Sequence, residues 1–194
     1  MLTPPTKPTD VYHPISRFLH WLMGIFIICM FVMGWGRDFA GPEMKDKIMV
    51  WHVSVGLVLL ALFFVRLASR INYAAPDISG ARPERVAAHV AHFFLYVLMF
   101  VMPLTGWLYI SARGVMPRFL GVGDIPALLQ KDRALAVFFK DLHETLAYGF
   151  AALVILHALA AFHRHFFRRD GTLKKMAPGL VSAASPDSPQ KKKA

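Results

Sequence analysis

Cysteine is almost missing from this chain. The one present, Cys29, sits alone in the middle of a long apolar run. A disulfide framework is therefore excluded. Cys29 itself reads most simply as a small apolar packing residue. Charge is scarce too. Only 18% of the 194 residues are charged, whereas soluble domains carry about a quarter. No motif for flavin, molybdenum or iron–sulfur binding occurs, so oxidation of an organic substrate would need a partner protein. Nor does a small-residue cleavage site follow the first apolar run, which a histidine interrupts. That run is expected to be a retained span and not a secretory signal.

What is plentiful is apolar surface, 56% of the chain. It clusters in four stretches, 18–35, 48–67, 90–110 and 142–162. Each holds about 18–21 residues, and a helix needs about 20 to cross a bilayer. Backbone groups in lipid must satisfy one another, which favours helices. A soluble bundle is the weaker reading, because four such stretches leave little polar surface. The expected fold is therefore all-α, a transmembrane four-helix bundle. Its expected parts are an N-terminal tail over 1–14, the helical domain over 15–176 and a disordered basic tail over 177–194.

Lys and Arg set the orientation. Fourteen lie in the N-terminal tail, the link between spans two and three, and the C-terminal tail. Eight lie on the other side, together with most of the acids. The richer side should be cytoplasmic, so both termini are expected there. The formal charge of +10 is then a topology signal and a contact for lipid headgroups. No nucleic-acid partner is expected, because the basic residues flank spans and form no patch interleaved with aromatics. The ten methionines and sixteen phenylalanines read as core filler or lipid-facing residues.

Nine histidines remain. His13, His163 and His165 lie in or near the tails. His20, His52, His89, His92, His143 and His157 lie in or at the ends of spans, where an ionisable residue is costly and usually faces the bundle interior with a partner. Taken singly, each could be a hydrogen-bonded interhelical residue. Depth arranges them further. His20 lies near the inner side and His52 near the outer. His143 opens the last span from outside, and His157 follows fourteen residues later. Fourteen residues advance about 21 Å and return to nearly the same helix face. His157 can then meet His20 at the inner level, and His143 can meet His52 at the outer. Two bis-histidine sites stacked in this way are what two haems b need. A single zinc shared by all four is ruled out by the separation of the levels. With no C-x-x-C-H in the chain, the haems would be held non-covalently.

A flat macrocycle against a helix also needs small neighbours about one turn from its ligand. Gly24, Gly56, Ala147 and Ala161 stand four residues after His20, His52, His143 and His157. The residues four after His89 and His92 are Phe93 and Tyr96. Small residues are common packing residues in membrane helices, and His92 has Ala88 on its other side, so His92 stays a competitor for the inner site. Arg17, three residues before His20, can neutralise a propionate of the inner haem or serve topology alone.

RFLHWL, VWHVSVG, LHETLA and LHALAAFHRHFF, in this order and at these intervals, resemble the prokaryotic cytochrome b561 family over about residues 10–176. The resemblance implies a four-helix dihaem b-type cytochrome, multi-pass in the bacterial inner membrane. It implies axial ligands at His20, His52, His143 and His157, paired first span with fourth and second with fourth. One branch of the family oxidises superoxide at the periplasmic face and reduces ubiquinone. The outer loop, expected over 111–141, is long for a connection. Lys140, one turn before His143, could attract a small anion there. A haem-propionate partner or a plain interfacial lysine are the more conservative readings of it. Three functions stay open: an electron-transfer enzyme linking superoxide and quinone, a cytochrome b subunit serving a separate redox partner protein, and a non-catalytic haem-binding membrane protein. Oligomeric state is not legible.

The orientation can be checked directly. A reporter fused after Ala194 should behave as cytoplasmic. A periplasmic signal would exchange the inner and outer levels.

Overall fold

The computed structural model describes residues 11–78, 80–116, 118–169 and 172–177. Residues 1–10 and nearly all of the expected basic tail lie outside these. Four long helices dominate: α1 over Pro14–Gly36, α2 over Pro42–Asn72, α3 over Arg82–Arg113 and α4 over Arg133–Phe166. A short α5 covers Thr172–Met176, and a 3-10 turn over Arg37–Phe39 ends the α1 span. Each long helix is long and apolar enough to cross a membrane. Only 6% to 22% of each apolar stretch is buried within the protein. Phe18, Val32, Phe64, Phe93 and Ile155 are exposed. An apolar belt of that extent is a surface for lipid and not for water.

Local chemistry sets the helix ends. Proline opens α1, α2 and α3 within the first two positions, where its missing N–H costs nothing. The Asp132 carboxylate accepts from Leu135 N at 3.0 Å and caps α4. Gly114 closes α3 with φ +70°, a left-handed conformation that suits glycine. The last helix therefore begins at Arg133, eight residues before the expected end of the outer loop. The charges at Lys140, Asp141 and Glu144 resemble a loop boundary in sequence. In the fold they lie along one helix face, and Lys140 pairs with Glu144 one turn on. The connection is thus 114–132. It carries one departure from an all-helical chain, an antiparallel pair of two-residue strands, β1 (Arg118–Phe119) and β2 (Gly123–Asp124).

This connection folds back over the end of the bundle that the Lys and Arg distribution marks as outer. The buried Ser54 hydroxyl donates to Val50 O at 2.7 Å and accepts from Leu120 N at 2.9 Å. Ser111 accepts from Leu128 N, and Trp107 donates to Pro126 O. At the inner end, Ser16 and Ser69 share a hydrogen bond of 2.7 Å. Arg66 donates to Ser16 O. Trp21 reaches Met176 O and ties α5 to α1.

Between these polar ends lies an apolar core of Met23, Ile27, Leu59, Phe63 and Phe150. Phe150 stands seven residues from both His143 and His157, about 10 Å along the axis from each. Close backbone packing joins α1 to α2, α2 to α3 and α3 to α4. Helix α4 makes little close backbone contact with α1 or α2. Those two helices nevertheless carry the histidines that face it.

Candidate functional site

Two imidazole pairs cross the space between α4 and its neighbours. At the outer level His52 of α2 faces His143 of α4, with ring centroids 6.2 Å apart and planes at 73°. At the inner level His20 of α1 faces His157 of α4, at 6.1 Å and 70°. The fourteen-residue spacing on α4 thus brings together the four histidines that the depth reading pairs. His92 of α3 also meets His157, at 5.4 Å. His89 is exposed. His13 accepts from Ile15 N at the start of α1 and stacks on Tyr73 at 3.6 Å.

The separations have a chemical meaning. An imidazole nitrogen binds a metal at about 2 Å, and the ring centroid lies about 1 Å further back, so two imidazoles on opposite sides of one metal have centroids about 6 Å apart. The two α4 pairs match that spacing. The His92 and His157 rings lie closer together.

A cavity of about 290 Å³ opens at the outer level and is lined from all four long helices, with His52 and His143 in its wall. Gly56 and Ala147 line it, as a flat group beside these histidines requires. Two further glycines matter and sit on the helices without outer ligands. A Cβ on Gly34 of α1 would lie 3.5 Å from His52 Cε1. A Cβ on Gly106 of α3 would lie 3.2 Å from His143 Cε1. No spacing within one helix marks them, because their meaning comes from the neighbouring helix. At the inner level Gly24 faces open space, with nothing within 4 Å of a would-be Cβ. Ala161 is half-buried.

Polar groups ring both levels. Arg37, Asp38, Lys140 and Glu144 stand in the outer cavity wall. Lys140 Nζ is 2.7 Å from Glu144 and 3.9 Å from Asp141, so its charge is already matched. At the inner level Arg66 Nη2 lies 3.3 Å from His20 Nδ1. Its role escapes the sequence because it belongs to α2. Arg17 Nε is buried and has no hydrogen-bond partner among the described residues. His52 Nδ1 is likewise buried and unpartnered. A group between the helices that brings anionic substituents and takes imidazole ligands fits Arg17, Arg66 and His52; at His20 its anionic substituent would have to take over the Arg66 N–H that points at Nδ1.

Spanning helices with facing imidazoles, and no cysteine pair for covalent attachment, define a class: membrane haem proteins of the b type. Comparison with known proteins makes the class specific. The family model for prokaryotic cytochrome b561 matches residues 11–179. Cytochrome b561 homolog 2 of Escherichia coli (strain K12) is 31% identical, with 88% of this chain and 93% of that protein covered. The probable superoxide oxidase CybB of Yersinia pestis is 29% identical, with 86% and 96% covered. Cytochrome b561 homolog 1 of Escherichia coli (strain K12) is also 29% identical. The chain belongs to the prokaryotic cytochrome b561 family. It is a bacterial membrane cytochrome that binds b-type haem and takes part in electron transfer.

Gly106 gives a direct test of the cradle. A branched side chain there collides with His143, so Gly106→Val should lower the haem content of the purified protein. Full haem content with an unchanged absorption spectrum would show that the close approach of α3 is unimportant.

Proposed function

We propose that residues 15–176 hold two haems b non-covalently and carry electrons across the bacterial inner membrane. One haem lies between His52 and His143 near the periplasm, the other between His20 and His157 near the cytoplasm. Electrons pass from a periplasmic donor, superoxide by this reading, to the ubiquinone pool. The observation that carries the proposal is the pair of imidazole contacts at 6.2 and 6.1 Å, both anchored on α4 fourteen residues apart. The similarity to a protein named as a probable superoxide oxidase supports the choice of donor.

A haem iron held by two imidazoles supplies a one-electron couple with no open coordination position. The chain's own residues do the rest. The four histidines fix the two levels. Gly24, Gly56, Ala147 and Ala161 keep the helix faces flat beside their own histidines. Met23, Ile27, Phe63 and Phe150 exclude water between the levels. Arg17 and Arg66 put positive charge at the inner level, where propionates can neutralise it. The Glu144 pair weighs toward a charge-balancing role for Lys140 at the outer rim, over capture of a free anion. Both termini face the cytoplasm in this arrangement, as the Lys and Arg distribution requires.

Potentiometric titration of histidine variants tests the pairing. His52→Ala and His143→Ala should lose the same haem component, and His20→Ala and His157→Ala the other. Gly56→Leu should crowd the outer component alone. Arg17→Gln should lower only the inner potential, since losing a nearby cation disfavours the reduced haem. If His92→Ala removes the inner component while His20→Ala leaves it, α3 holds the ligand. Purified protein given superoxide should reduce ubiquinone unaided. A requirement for a second protein would instead make this chain the cytochrome b subunit of a larger system.

A further inference from the structure

Thr105 of α3 is 4% exposed. Its hydroxyl lies 2.9 Å from Met102 O and 3.0 Å from His143 Nδ1. The Met102 carbonyl can only accept: it takes the single Thr105 hydroxyl proton and also stands within hydrogen-bond reach of the His143 ring N–H. What Thr105 then offers His143 is a lone pair, and Nδ1 must donate to it. A neutral imidazole with its proton on Nδ1 has its free lone pair on Nε2. The neighbouring Gly106 completes the seat, since the Cε1–Nδ1 edge of His143 lies against its backbone, 3.2 and 3.5 Å from a would-be Cβ. One residue of α3 thus orients the ring and the next makes room for it.

None of the other three paired histidines has this arrangement. His52 Nδ1 has no hydrogen-bond partner among the described residues. His20 Nδ1 faces Arg66 Nη2, which can only donate. No side-chain acceptor is placed on His157 Nδ1 among the described hydrogen bonds. The outer pair is therefore asymmetric, with one ring fixed by an acceptor and the other by packing.

We infer that Thr105 is the positioning residue of the outer site: its hydroxyl, beside the Met102 carbonyl, holds the proton on His143 Nδ1 and aims Nε2 as the metal-binding nitrogen. This rests on the reading of His143 as a haem ligand. An acceptor on the far nitrogen also makes a ligating imidazole more basic, and removing such a partner costs about 10–100-fold in metal affinity. A more basic ligand favours the oxidised iron. Thr105 therefore holds the outer potential down and strengthens outer haem retention, without touching the inner site.

Two variants separate the hydroxyl from the methyl. Thr105→Val keeps the shape and loses the acceptor. Thr105→Ser keeps the acceptor and loses the methyl. In full-length purified protein, Thr105→Val should raise the outer midpoint potential or, where retention falls far enough, release the outer haem about 10-fold or more faster on washing. The inner component should stay in place as an internal reference. Thr105→Ser should keep both the potential and the retention of the native protein. An unmoved outer component in Thr105→Val would overturn the inference. So would equal loss in Val and Ser variants, which would make Thr105 a packing residue. A native protein with no outer haem component would overturn the two-haem reading instead, and that outcome is visible before any variant is made.

Discussion

Helix α4 stands off from α1 and α2, and two imidazole pairs reach across the space it leaves. The bundle depends on how that space is filled. A buried polar group without a partner costs roughly 1–3 kcal/mol, and this region holds several imidazoles with few hydrogen bonds between them. Apolar side chains alone would leave them unsatisfied. A ligand that bonds to both members of a pair removes the problem and ties α4 to the rest of the bundle. On this account the cofactor is a structural element as well as a redox centre, and binding it stabilises the fold by mass action.

The rest of the molecule is arranged around the two levels. The core of Met23, Ile27, Leu59, Phe63 and Phe150 lies between them, and all of it but Phe63 also borders the outer cavity. The polar residues are pushed to the two ends. Serines 16 and 69 lock α1 to α2 at the inner end. Ser54 and Ser111 hold the outer connection down. At the end of the bundle that holds Ser16 and Ser69, Glu84 of α3 pairs with Arg164 of α4 at 3.7 Å and also with Arg168. The apolar centre thus lies between polar clasps at the two ends of the bundle.

The sequence reveals most of what depends on position along one helix. Apolar length announces four spans. The fourteen-residue interval on α4 places two histidines on one face because it is close to a whole number of turns. Features that depend on a neighbouring helix stay hidden. Gly34, Thr105 and Gly106 act on histidines of α2 and α4, and Arg66 on one of α1, so no spacing within their own helices distinguishes them. The start of α4 misleads for a different reason, since its charged residues resemble a loop until the Asp132 cap shows that the helix has already begun. His92 is a case where depth alone cannot choose: the structure puts both it and His20 beside His157, at 5.4 Å and 6.1 Å.

The central claim is two haems per chain, each held on both faces by histidine. Haem quantification on the purified protein, combined with exposure of its reduced form to carbon monoxide, tests it most directly. The account predicts two haems b per polypeptide and no carbon monoxide adduct, because neither iron has a free position. One haem per polypeptide, or a carbon monoxide adduct in the native protein, would contradict it.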